Sequence, residues 1–198
     1  MKAIQAILAT CVYLVLLVCV YYLHVQYFKI NVVFYAAIAD GIIAAALSGV
    51  LLLLVCSFSK LTRFEILLLI TIWLLGGYSY AISVPTVIDR SLSFYILEKL
   101  KQRGGGIRQD AFEYVFTQEY VKEHHLVDVR LTEQLASGTI VIENGCVKLT
   151  PKGEDLVKFS RYFRQNWLPK ERLLMGKYTD ALTDPFRHSE QRVDYTCK

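Results

Sequence analysis

Charge is nearly absent from the first 85 residues of this 198-residue chain. They hold four Lys or Arg and two Asp or Glu, whereas residues 86–198 hold the other 18 basic and 16 acidic side chains. With 54% apolar residues overall, this asymmetry excludes a single soluble globular domain and also a wholly disordered chain. It predicts a membrane module followed by a small water-soluble part.

Motifs for catalysis and metal binding are also missing. The five cysteines form no C-x-x-C pair, so neither a zinc site nor a redox pair is indicated, and their scatter fits reduced thiols. The triple glycine Gly104–Gly106 is not followed by Gly-Lys-Ser/Thr, and no G-x-S-x-G nucleophile elbow occurs. We therefore expect no cofactor, no metal and no catalytic residue, and we favour a non-enzymatic protein.

Three long apolar runs fill the charge-poor part of the chain. They predict transmembrane helices at about residues 4–28, 32–58 and 64–84. Each has about the 20 residues needed to cross a hydrocarbon core about 30 Å thick. The first run is too long for the apolar part of a cleaved signal peptide, so we interpret it as a retained helix.

The second run carries a stripe of small residues spaced by four, namely Ala37, Gly41, Ala45 and Gly49. Small residues on one helix face let a second helix approach closely. The stripe predicts a packing face, either within the chain, in a homo-oligomer or against another integral membrane protein. The alternative is chance, because Ala-rich membrane helices often produce such spacings.

Asp40 lies about two turns inside the second run, beside this stripe. A carboxylate at that depth is costly, so it should face protein or water rather than lipid. It could bind a proton or a cation, or it could hydrogen-bond to a neighbouring helix that carries His24 or Tyr78. A lone acid is weak support for transport, and we favour the structural role.

The membrane edge after the third run carries Asp89-Arg90-Ser91. These residues could bind a lipid headgroup or orient a catalytic partner. We favour a helix cap formed by Asp89 or Ser91, while the Arg90 side chain extends to the interface.

Three spans place the two termini on opposite sides of the membrane. Positive residues accumulate on cytoplasmic flanks. A cytoplasmic C-terminus would have five such residues on its side (Lys29, Arg90, Lys99, Lys101 and Arg103) against three on the other (Lys2, Lys60 and Arg63). The count favours an inner-membrane protein whose C-terminal domain is cytoplasmic.

The soluble half predicts three helices, a hairpin and a fourth helix. Apolar residues at helical spacing indicate helices through Leu100, through Phe116 and up to Gly138. Asn144-Gly145 is typical of a two-residue β-hairpin turn. Thr150-Pro151 then begins a helix that runs to about Trp167.

This order resembles a winged helix, the helix-turn-helix variant with a β-hairpin wing. The resemblance covers about residues 91–163. Its most specific stretches are Arg130–Leu135, Gly138–Ile142 and Val147–Gly153. The last of these holds a Leu-Thr-x-Lys-Gly junction between strand and helix, which is common in bacterial winged-helix regulators. The resemblance implies a third helix that could enter a DNA groove and a wing that could touch the phosphate backbone.

The charges of this winged-helix-like domain favour protein contact over DNA. The soluble half has a net charge of only +2, and phosphate binding draws mostly on Lys and Arg. The candidate recognition helix and wing offer a mixed set: Arg130, Glu133, Gln134, Asn144, Gly145 and Lys148. We therefore do not expect DNA as a partner.

The segment after Trp167 is basic at first and carries Lys170, Arg172 and Lys177 among apolar residues. It could form an amphipathic helix on anionic lipid, or a last helix packed on the domain. From about residue 183 the composition becomes polar, which indicates a loose tail.

Together these patterns predict an α-helical integral membrane module of three transmembrane helices followed by a small α+β winged-helix-like domain. The expected ranges are 1–85 for the module, 86–167 for the domain and 168–198 for the amphipathic helix and tail. We expect a non-enzymatic accessory or scaffold protein of a bacterial inner membrane, acting in envelope glycan or lipid assembly. The alternatives are a membrane-tethered transcription regulator, and an enzyme or carrier using Asp40 or Asp89-Arg90-Ser91.

Overall fold

The computed structural model describes residues 2–54 and 61–187. The chain forms two compact units, Met1–Val127 and Asp128–Lys198. This division differs from the boundary expected near residue 86, because the helices that directly follow the apolar runs belong to the first unit.

The first unit contains three helices that are long and apolar enough to cross a membrane. They are α1 (Lys2–Tyr27), α2 (Val33–Leu54) and a third helical run, Arg63–Arg90. These helices are compatible with the expected membrane location. The expected end of the second span at Phe58 lies outside the described residues.

The third helical run continues past the point where the sequence predicted its end. Its first part, α3 (Arg63–Ala81), is followed by a wider helical turn, Ile82–Thr86, and by Val87–Arg90. Pro85 lies inside the wide turn. Proline has no N–H to donate, and a turn with i→i+5 geometry relieves its conflict with the helical hydrogen-bond pattern. The helical run therefore continues to Arg90, past residue 84 where the predicted span ends.

Aromatic side chains hold α1 and α3 together. The rings of Tyr13 and Trp73 stack with their centroids 5.4 Å apart. The Tyr13 hydroxyl donates to the Trp73 carbonyl oxygen at 2.6 Å, and the Trp73 indole N–H donates to the Thr10 hydroxyl at 3.1 Å. Both rings are buried, so each polar tip has a partner where water is absent.

The rest of the first unit is a small helical cluster. Ser91 caps α4 (Leu92–Gln102) by accepting a hydrogen bond from the Phe94 N–H. A segmented helix follows, in the consecutive pieces Gln109–Ala111, Phe112–Tyr114, Val115–Tyr120 and Val121–Glu123. Its core consists of Tyr95, Val115 and Tyr120.

The wing-like hairpin forms where Asn144-Gly145 predicted it. After α5 (Leu126–Ser137), β1 (Ile140–Glu143) pairs antiparallel with β2 (Cys146–Leu149). Asn144 and Gly145 both have positive φ, as this turn requires. Thr150 then caps α6 (Pro151–Asn166), and Pro151 occupies its first turn, which confirms the predicted start of this helix.

The segment after Trp167 differs from the expected amphipathic helix. It forms a second antiparallel hairpin, β3 (Arg172–Leu174) with β4 (Lys177–Thr179). Met175 and Gly176 connect the strands with φ of 47° and 86°. Positive φ at both positions gives the tight turn that reverses a strand, which a helix cannot accommodate.

The elements of the second half follow the predicted order of helices, hairpin and helix. Their assembly into a winged helix remains a prediction, because small antiparallel hairpins occur in many folds. Cys146 is disulfide-bonded, so the expectation of reduced cysteines is wrong for this residue.

Candidate functional site

Asp40 is buried on α2, one of the candidate spans, and is hydrogen-bonded to His24 on α1, one of the two partners considered from the sequence. The Nδ1 atom of His24 lies 2.7 Å from Oδ1 of Asp40, and only 1% of Asp40 is exposed. The other carboxylate oxygen, Oδ2, is buried without a hydrogen-bond partner among the described residues. Tyr78, the other candidate, is largely exposed on α3.

This pair links α1 to α2 through one short polar contact. A buried carboxylate is tolerated in an apolar setting only where hydrogen bonds or a counter-charge offset the loss of water. One proton on either the imidazole or the carboxyl group satisfies the contact. The arrangement therefore explains how Asp40 is accommodated in a span without invoking a transport path.

The small-residue stripe is a packing face within the chain. A Cβ built on Gly41 would lie 3.2 Å from the Cα atom of Gly77 in α3, and one built on Gly49 would lie 3.4 Å from the Ile70 side chain. Ala37 and Ala45 are buried on the same helix. The stripe thus lets α2 and α3 approach closely, as small residues do in membrane helices.

The membrane-edge junction supplies a cap and a shallow cleft. Ser91 is the cap of α4, and the Asp89 carboxylate lies 3.8 Å from Nε of Arg90. A cleft of about 330 Å³ opens beside the junction, and most of its lining is apolar or aromatic: Tyr21, Val33, Tyr80, Val84, Pro85, Ile88 and Asp89. With one carboxylate in the lining, the cleft lacks a paired acid and base.

A buried lysine forms an ion-pair network that the sequence analysis missed. Lys99 is 4% exposed, and its Nζ atom lies 2.7 Å from Glu119 and 2.6 Å from Glu123. The Tyr95 hydroxyl donates to Glu123, and Arg103 pairs with Glu119. Lys99 was counted above among the positive residues that flank the spans on the C-terminal side. In the structure two carboxylates neutralise its charge.

The charges in this network fit a role in stabilising the fold rather than a role in catalysis. Hydrogen bonds to Glu119 and Glu123 raise the pKa of the Lys99 amine above its usual range. The Lys99 ammonium in turn lowers the pKa of both carboxyl groups. Because a nucleophilic lysine needs a depressed pKa, Lys99 is unsuited to catalysis and serves to fasten α4 to the segmented helix. The only signal in the sequence was the spacing of four between Glu119 and Glu123.

The cations that the winged-helix resemblance would place against DNA are paired with carboxylates. On α5, Arg130 lies 2.9 Å from Glu133, and on the wing Lys148 lies 3.0 Å from Glu143. The Gln134 side chain is hydrogen-bonded to the Thr139 hydroxyl. This leaves the candidate recognition helix and wing with little free positive charge for phosphate.

An exposed aromatic stripe runs along α6 and its end. Phe159, Phe163 and Trp167 follow at a spacing of four, with successive ring centroids 6.0 and 6.4 Å apart. Phe159 is 63% and Trp167 is 68% exposed. The sequence predicted a helix here, but it did not show that these rings would be exposed.

A cleft of about 530 Å³ lies on the same helix. Most of its exposed area is apolar, and its lining includes Leu156 and Val157 together with Arg161, Arg164 and Asp184. Neither arginine has an ion pair among the described residues. The surface of α6 therefore combines apolar area with unpaired positive charge.

No protein-family model matches this chain, and neither a curated protein nor a solved structure does. Within residues 2–54 and 61–187, no group of three His, Cys, Asp or Glu side chains is placed to hold a metal ion.

Proposed function

We propose that this chain is a non-enzymatic accessory or scaffold protein of a membrane, whose α6 docks a partner protein. The exposed stripe of Phe159, Phe163 and Trp167 carries the proposal. Three large rings side by side make an apolar patch that a soluble surface rarely leaves uncovered unless it binds something. Aromatic side chains also dominate the energetic centres of protein interfaces.

The charges on α6 also limit which class of partner protein fits this surface. Arg161 and Arg164 border the cleft on α6 and lack ion pairs among the described residues. Guanidinium groups at an interface favour carboxylates, to which they bind in a bidentate manner. The partner that fits is a membrane protein that presents an apolar segment flanked by Asp or Glu.

The two alternatives have less support. A DNA-binding regulator needs free cations on the third helix and wing, but Arg130 and Lys148 are each paired with a glutamate. An enzyme or carrier needs a polar site with a ligand path, but Asp40 is engaged by His24 and Ser91 serves as a helix cap.

The docking proposal predicts the loss of one specific partner in a variant of the stripe. The full chain is purified from its native membrane and bound proteins are quantified by mass spectrometry. The double change Phe159→Ala, Trp167→Ala should reduce the recovery of the partner about tenfold or more, because the loss of a single interface hot spot costs about 2 kcal/mol or more. Tyr114→Ala removes an equally exposed ring from the first unit and should leave recovery unchanged. Equal recovery with all three chains, or no enriched membrane protein at all, would exclude docking at α6.

We further propose a bacterial inner membrane and a cytoplasmic C-terminal unit. Flanking positive charge supports that side. The disulfide bond of Cys146 favours the opposite side, because disulfides are typical of oxidising compartments, and the following fusions decide between the two. A fluorescent protein that matures only in the cytoplasm, fused after Lys198, should fluoresce. Alkaline phosphatase fused at the same position should be inactive, and an active phosphatase fusion would reverse the orientation.

A further inference from the structure

The second hairpin presents an apolar tip to solvent. Leu173 and Tyr178 are cross-strand neighbours, and both are largely exposed. Met175, at the turn, is 84% exposed, the highest value among the large hydrophobic side chains of the described residues. A two-stranded hairpin is marginal on its own in water, so exposed apolar residues at its turn indicate a surface that covers them.

Positive charge surrounds this tip. Lys170, Arg172 and Lys177 form no ion pair among the described residues. Glu171 is the single acidic residue between positions 170 and 179. Apolar and aromatic side chains flanked by free Lys and Arg are the composition of elements that lie in the headgroup region of an anionic bilayer.

We propose that the hairpin Arg172–Thr179 docks on an anionic bilayer, with Met175 and Leu173 among the headgroups and the three cations against lipid phosphates. The chain itself argues for this occupant. Its candidate spans tether the hairpin to a membrane, and tethering raises the effective concentration of that surface. A weak interfacial contact is then sufficient, because each Lys or Arg near an anionic surface strengthens binding by about fivefold.

Hydrogen exchange of the full chain in nanodiscs tests this docking. Nanodiscs of phosphatidylcholine alone are compared with nanodiscs containing about 30% phosphatidylglycerol. Amides of residues 170–180 should exchange at least severalfold more slowly with the anionic lipid. The triple change Lys170→Gln, Arg172→Gln, Lys177→Gln should abolish the difference, and Leu173→Ser with Met175→Ser should do the same while leaving the charge intact.

A matched triple change controls for net charge. Lys101→Gln, Arg108→Gln and Lys122→Gln remove the same charge from the first unit and should preserve the lipid effect at residues 170–180. Equal exchange in both lipids overturns the proposal. Protection that depends on protein concentration rather than on lipid also overturns it, and indicates that a second copy covers the tip. None of these results depends on a partner protein bound at α6. The lipid test can therefore fail while the test of protein docking at α6 succeeds, and the reverse.

Discussion

Replacing Gly77 by alanine is expected to lower the stability of the three-helix bundle by about 1–3 kcal/mol, the usual cost of overpacking. A Cβ at this position would lie 2.8 Å from the Tyr13 hydroxyl oxygen and 3.0 Å from the Gly41 Cα. Neither neighbour moves freely. Gly41 contributes backbone, and the Tyr13 hydroxyl is fixed by its hydrogen bond to the Trp73 carbonyl.

Gly76→Ala is the matched control for this change. A Cβ on Gly76 would have its nearest neighbour at 4.0 Å, the Tyr13 Cε1 atom. Alanine stabilises a helix relative to glycine by up to about 1 kcal/mol, so Gly76→Ala should be neutral or slightly stabilising. Unfolding of the two full-length variants in the same detergent gives the comparison. If both unfold like the wild-type chain, α2 and α3 do not cross at Gly41 and Gly77.

Gly153→Ala is expected to disrupt the second unit by about 3 kcal/mol or more, among the larger effects of a single substitution. A Cβ on Gly153 would overlap the backbone carbonyl oxygen of Thr139, and the Leu149 side chain lies only 3.1 Å away. The Thr139 carbonyl accepts a hydrogen bond from the Thr150 N–H. Relief of the overlap must therefore separate the start of α6 from Thr139, which directly precedes β1.

Local hydrogen exchange in the full chain measures this effect. Amides of residues 139–153 should lose protection in Gly153→Ala. Gly106→Ala, at a glycine with no atom within 4 Å of a built Cβ, should exchange like the wild type in this region. Unchanged protection in Gly153→Ala would show that the carbonyl of Thr139 does not contact α6.

Short stretches of sequence predicted those elements whose structure depends mainly on neighbouring residues. The apolar runs predicted the helices that are long enough to span a membrane, because length and composition are properties of one continuous segment. Asn144-Gly145 predicted the first hairpin because its turn requires positive φ. The predicted end of the third run at residue 84 did not anticipate the wide turn Ile82–Thr86, which carries the helix through Pro85.

The candidate sites were predictable only where a residue is out of place in its own segment. Asp40 stood out as an acid in an apolar run, and His24 was one of two partners considered. The partner of Gly41 lies 36 positions away in Gly77, and no local pattern selects it. The Lys99 network likewise joins residues 20 and 24 positions apart. The exposure of Phe159 and Trp167 is a tertiary fact, since an amphipathic helix looks the same in sequence whether its face is covered or bare.

The contact between α2 and α3 also limits which faces of the three candidate spans are open to other proteins. Gly41 and Gly49 already face α3, so a second protein would encounter the outer helix faces, where long side chains such as Leu53 and Leu75 project. Long side chains keep helix axes apart. Their contacts with lipid tails are about as favourable as their contacts with each other. Neighbours in the lipid phase should therefore exchange readily. Stable, specific binding of one partner protein would then depend on contacts outside the lipid.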